Sequence, residues 1–361
     1  MSARAFASAS GFSLVEVLIA SGLTAAVTLI ACRLAADAQV VSQSDGARID
    51  LQQRARVAAD VVSRSLLDAG GGPDGGPGRG PLIRSVPALV PRRVGLRVPD
   101  ATNVFRSDAW TVMRAVAEAE HAVTALPVPA GAIAIEIAPA PACGLPSCGL
   151  APGSHVLLVD AAGNHDVFTV TAARGMALTL RHHGGGSASS YPVGTPVIAI
   201  ESSTYFFDAA SRTLREYDGD ASDVPLLDDV VGMSVRYFGE VEPPAWPRPP
   251  GGTANCLYAS DGTYLEALMP VLAGVGGRIE LTAGMLTDGP WCGQDGMQFD
   301  ADLLRVRRVR VTLRLQASDP ANRGVNPSDF RLRGVARNAA AMVPDATVTV
   351  DVAPRNLVQG W

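Results

Sequence analysis

The chain has 361 residues, long enough for two domains. Its 30 basic and 35 acidic side chains leave a formal charge of −5, so the chain as a whole is not an electrostatic binder of nucleic acid. Lysine is absent, arginine supplies every positive side chain, and a single apolar segment is long enough to span a bilayer, which argues against a protein with several spans.

The first predicted element begins at Gly11-Phe12-Ser13-Leu14-Val15-Glu16. A short polar leader with one positive charge, Arg4, precedes it, and an apolar run continues from Phe12 to about Ala36. Glu16 lies inside that run. A carboxylate at the centre of a membrane helix costs roughly 2.5–3.5 kcal/mol, so it marks a function by default.

Gly-Phe-Ser-Leu-Val-Glu resembles the class III signal of type IV pilins and type II secretion pseudopilins. The resemblance implies a prepilin leader over residues 1–11 and cleavage by a prepilin peptidase between Gly11 and Phe12. It also implies N-methylation of Phe12. Glu16 would meet the terminal amine of a neighbouring subunit during filament assembly. The implied setting is the bacterial inner membrane, crossed once, with an extracytoplasmic body that later joins a pilus or periplasmic filament. The implied partners are the peptidase, other pilin or pseudopilin subunits through the N-terminal helix, and inner-membrane lipid before assembly. Two other readings compete. A secretory signal has a 7–15-residue apolar core, shorter than this run and without a carboxylate. Leu29-Ile30-Ala31-Cys32 resembles a lipobox, which would make the chain an exported β-rich lipoprotein or enzyme anchored at Cys32.

One long helix is expected over residues 12–69, transmembrane to about 36. The chain holds 26 prolines, yet none occurs before Pro73, and proline breaks helix interiors. Ser21, Gly22, Thr24 and Thr28 are small residues that permit close helix packing in lipid. The second half is amphipathic. Val57, Ala58, Val61, Val62, Leu66 and Ala69 fall on one face; Arg56, Asp60, Arg64 and Asp68 alternate in sign on another. Gly46 is the expected place for a bend. The stretch from Leu51 to Ala58, continued through Leu66 to Gly70, is similar to the helix end of PilW-like minor pilins and J-type pseudopilins.

Residues 70–81, rich in Gly and Pro, read as a flexible linker. Beyond it, over residues 82–361, the helical period gives way to short apolar runs bounded by turn residues, as in a β-rich body. Expected strands are 110–116, 133–138, 155–160, 166–171, 177–181, 196–201, 204–208, 213–217, 230–238, 304–317 and 346–352. The proline-rich segment 241–253 is a candidate lobe boundary. The ending Ala353-Pro354-Arg355-Asn356-Leu357 resembles the close of PilW-like chains. The fold class is α+β, type IV pilin-like.

Cys143, Cys148, Cys256 and Cys292 lie beyond the membrane run, and an even number in an exported chain reads as disulfides. Cys143 and Cys148 can close a small loop; Cys256 and Cys292 are then left for each other. Four free thiols, or a zinc site with loose ligand spacing, are the alternatives. No metal or cofactor is expected, and no catalytic residue is assigned. His155, His165, His182 and His183, with Asp160 and Asp166 nearby, match no metal signature and read as strand-end histidines facing solvent. Asp218-Gly219-Asp220 with Asp223 hints at calcium but lacks the EF-hand order, and an Asp/Gly turn explains it. Arg305, Arg307, Arg308, Arg310 and Arg314 are candidate phosphate contacts. Strand alternation accounts for them, no aromatic platform is interleaved, and nucleic acid is not an expected partner. The expected function is that of a minor pilin in initiation or near the tip of a type IV pilus, with a J-type pseudopilin of type II secretion as the alternative.

Overall fold

The structure is a computed structural model that describes residues 13–72, 80–116, 122–139, 143, 145–183, 189–274 and 276–357. One long helix, α1 (Leu14–Leu67), precedes a β-rich body, so the α+β class holds. The helix runs through Gly46 without interruption. The chain divides into two compact units, residues 1–52 with 317–345, and residues 53–316 with 346–361.

In the first unit, Arg48 Nη2 of α1 donates to the Met342 carbonyl at 3.4 Å. The segment 317–345 is held by its own backbone. Val335 N–H donates to Pro320 O at 2.9 Å and Val343 N–H to Asn322 O at 2.8 Å. Phe330 is buried.

The second unit contains the end of α1 and sixteen short strands among the described residues. Ten of them form one sheet: β1 (Leu89–Val90), β2 (Ala109–Ala115), β3 (Ala122–Thr124), β4 (Ala134–Pro139), β5 (His155–Val159), β6 (His165–Arg174), β7 (Ala177–His182), β8 (Pro196–Asp208), β9 (Thr213–Tyr217) and β10 (Asp223–Leu227). The order β8-β3-β4-β7-β6-β5 returns to β8, because Val197 of β8 faces Ala122 on one side and Leu158 on the other. Six strands thus close into a small barrel, which removes their edges. Val156, Leu158, Phe168, Val170, Leu178, Leu180 and Tyr191 are among the buried residues of one core cluster here.

The strands expected at 196–201 and 204–208 are one strand. Ser202 and Ser203, which read as a break, pair with Met113 and Val112 of β2 where β8 leaves the barrel for the open part of the sheet. A second sheet has the order β12 (Arg278–Leu281), β11 (Val230–Glu240), β15 (Val306–Leu315), β16 (Ala346–Val352). A hairpin, β13 (Trp291–Cys292) with β14 (Phe299–Asp300), lies between β12 and β15 in the chain.

The end of α1 is built into this unit. Ala58, Val62, Leu66 and Ala69 are fully buried, while Val57 is 49% exposed. The buried stripe therefore follows spacings of four, four and three residues and passes Val57 by. On the outer face Arg64 Nη2 lies 2.7 Å from Asp60 Oδ2. Arg54 Nη1 donates to Gln316 O at 3.2 Å and contacts Asp229 Oδ2 at 3.4 Å, tying the helix to the start of β11 and the end of β15. Gly70 N–H donates to Met113 O at 2.8 Å. Gly70 has φ +93°, and a Cβ there would meet Leu357 Cδ2 at 3.2 Å, so the glycine seats the C-terminal residues Asn356 and Leu357 against the helix end.

Candidate functional site

Gly11 and Phe12, the expected cleavage and methylation residues, lie outside the described residues. The head of α1 starts directly after them. Ser13 Oγ accepts from Val15 N–H at 3.2 Å, and Glu16 Oε2 accepts from Ser13 N–H at 2.9 Å. This reciprocal arrangement is a capping box, Ser-x-x-Glu, which satisfies two N-terminal donors of a helix. Glu16 therefore has local work in the single chain, and its negative charge sits at the positive end of the helix dipole. The cap was visible in the sequence as Ser13-Leu14-Val15-Glu16.

Past this head the apolar side chains from Leu14 to Leu34 are bare. Their exposure runs from 55% at Val17 to 78% at Leu14. Among the described residues this is the one helix long and apolar enough to cross a membrane. Thr24 and Thr28 turn their hydroxyls onto the carbonyls of Ala20 and Thr24 at 2.7 and 2.8 Å, which hides their polarity. Cys32 is an exposed free thiol on the same helix.

Two disulfides are present, Cys143–Cys148 and Cys256–Cys292. The first closes a loop whose Ser147 hydroxyl donates to Gly175 O at the turn after β6.

Two of the four histidines are placed differently from expectation, while His155 and His182 are half-buried. His165 and His183 are buried rather than facing solvent. Burial pushes His165 down to about 4 and His183 down to about 3, so both are neutral at pH 7. Thr169 Oγ1 lies 2.7 Å from His183 Nε2 and donates to Asp220 Oδ2 at 3.1 Å. Having given its one proton to Asp220, the hydroxyl accepts from His183 Nε2–H. Asp166 is buried too, but accepts from His182 Nε2 at 2.6 Å, Ser189 N–H at 2.7 Å and Tyr191 O–H at 2.7 Å. These bonds outweigh burial and hold its carboxyl below the usual range.

The aspartates of 218–223 form a turn. Asp218 Oδ1 accepts from the backbone of Asp220, Ala221 and Ser222. Arg181 and Thr169 occupy Asp220, and Arg215 occupies Asp223. Elsewhere Asp288, Asp300 and Asp302 bring carboxylate oxygens within 4.8 Å of one another. The chain itself serves two of them. Asp300 accepts from Gly289 N–H at 2.6 Å and Asp302 N–H at 2.9 Å, and Asp302 lies 2.5 Å from Arg305 Nε.

The arginine run divides. Arg305 is 1% exposed and donates to Val241 O at 2.6 Å and Pro270 O at 2.8 Å. Arg307 is buried against Glu240. Arg308 and Arg310 point outward and share Asp351. The outer face does carry one aromatic that the chain order hid. Phe238 of β11 lies 5.7 Å from the Arg308 guanidinium and 5.3 Å from that of Arg310.

No family model matches the chain, and no curated protein matches it significantly.

Proposed function

We propose that this chain is a minor pilin of the PilW-like kind, cut between Gly11 and Phe12, N-methylated at Phe12 and assembled into a type IV pilus through α1, in initiation or near the tip. The observation that carries the reading is the head of the helix. One carboxylate, Glu16, stands at the start of an apolar stretch that the chain leaves uncovered. Such a surface needs lipid before assembly and apolar helices after it. Glu16 Oε2 is engaged by Ser13 N–H. A second acceptor oxygen remains for an amine, either that of mature Phe12 or that of a neighbouring subunit. A buried ammonium without such a partner is costly. The disulfides support the extracytoplasmic side of the proposal, since disulfides persist in oxidising compartments. The J-type pseudopilin reading uses the same head and the same chemistry.

Mass spectrometry of the mature N-terminus tests the proposal. The expected result is a chain beginning with N-methylated Phe12. A chain beginning at lipidated Cys32 would replace this reading with the lipoprotein one. Recovery with sheared surface filaments, against recovery in a periplasmic secretion complex, separates pilus from pseudopilus.

A further inference from the structure

A cavity of about 390 Å³ lies in the second unit, lined by Arg92, Arg93, Val94, Pro99, Ala101 and Met297, among others. Its volume falls in the range of about 300–1,000 Å³ typical of small-molecule sites. Arg92 is 6% exposed. Its Nη1 donates to Thr102 O, and its Nη2 to Gln298 O at 2.7 Å. Both acceptors are neutral carbonyls, and among the described residues no carboxylate is in contact with Arg92. A guanidinium has five N–H donors, so these two bonds leave donors unused. Burial lowers its pKa to about 10, which still leaves it charged at neutral pH.

Among the described residues the carboxylate whose charge acts on Arg92 is Asp100, and it is not in contact with Arg92. Asp100 is on the cavity wall, but its Oδ2 accepts from Arg93 N–H at 2.7 Å and lies 3.8 Å from Arg106 Nη1. Arg93 contacts Asp223 at 3.4 Å, a carboxylate that Arg215 holds at 2.7 Å. Its guanidinium rests 4.1 Å from the ring centroid of Tyr217, and its buried Nε has no hydrogen-bond partner. Asp100 thus serves Arg106 and the Arg93 backbone while its charge also acts on Arg92, beside a partly apolar hollow. A buried charge without a counter-charge is strongly unfavourable.

We propose that this cavity binds a small organic carboxylate, with its oxygens on the unused donors of Arg92 and its apolar body against Val94, Pro99 and Met297. The planar fork of arginine matches a carboxylate with two parallel hydrogen bonds. The apolar walls favour an organic acid over inorganic phosphate, whose remaining oxygens would lose water there without gaining donors.

The test is calorimetric titration of the full chain in detergent with isobutyrate, and separately with inorganic phosphate. Saturable binding of isobutyrate at millimolar concentration is expected, with phosphate about tenfold weaker or more. Arg92→Gln should weaken isobutyrate about tenfold or more, the scale of a lost charge-assisted bond. Because Arg92 also ties two backbone segments, Ala101→Trp provides the second variant. It fills the hollow and leaves Arg92 in place, and should abolish binding with the unfolding midpoint unchanged. Absence of saturable isobutyrate binding in the unaltered chain overturns the proposal. So does phosphate binding of equal strength, or full binding by folded Ala101→Trp.

Discussion

The two ends of α1 are built from similar aliphatic residues and meet opposite surroundings. Near the start, apolar side chains go round the whole circumference and are bare from Leu14 to Leu34. Near the end, Ala58, Val62 and Leu66 lie in one narrow buried stripe, with Arg56, Asp60 and Arg64 on the outside. The width of the apolar face, rather than its composition, states which surroundings the helix is made for. A stripe needs a protein surface; a full circumference needs lipid or other helices.

The largest expected effect is at the head. Glu16→Leu removes both the cap and the charge, whereas Glu16→Gln retains a group able to complete the capping box. If the charge drives assembly, both variants should be cleaved and inserted normally, and both should be nearly absent from sheared filaments. Recovery of Glu16→Gln at the unaltered level, with Glu16→Leu lost, would assign Glu16 to capping alone. On the body side, Leu66→Ala should destabilise by about 2–5 kcal/mol, the range for a buried leucine. Leu23→Ala, in the bare half, should leave body unfolding unchanged. Urea unfolding followed by tryptophan fluorescence, to which buried Trp110 contributes, reads both.

Acid should separate the two ends further. The folded body holds His165 and His183 neutral, lowered by burial to about 4 and about 3 from 6.5. The unfolded chain takes up those protons first, so stability is full above about pH 7 and falls as pH drops from 6.5 toward 4. At pH 5 the loss should be about 2 kcal/mol per histidine at most. His165→Gln and His183→Gln should each flatten that dependence in urea titrations at pH 7.5 and 5. The smallest effect is at the exposed Asp60–Arg64 pair. Arg64→Ala should change stability by less than about 0.5 kcal/mol, within the error of the same titration.

The helix and its two characters are legible in the sequence, because both depend on residues a few positions apart. The choice between Val57 and Ala58 is not. Both suit the helical period, and only the surface against which the helix end packs selected Ala58. The capping box is also local, although Ser13-Leu14-Val15-Glu16 belongs as well to the stretch that resembles a cleavage signal. His165 and His183 read as solvent-facing strand ends and are buried, since strand alternation alone cannot say what covers the outer face of a strand.

By itself the sequence determined the bare apolar helix, the carboxylate at its head, the turn at Asp218 and a β-rich body. Each follows from local propensity, periodicity or turn chemistry. Only the tertiary structure decided that six strands close into a barrel, that β8 continues through Ser202 and Ser203, and that Phe238 lies near both Arg308 and Arg310. It also set Phe238 within about 6 Å of both guanidiniums and brought Arg92 to the carbonyl of Gln298, 206 residues away. Those outcomes depend on pairing between distant strands and on which charges share a cavity, and no local pattern encodes the partner of a residue two hundred positions along the chain.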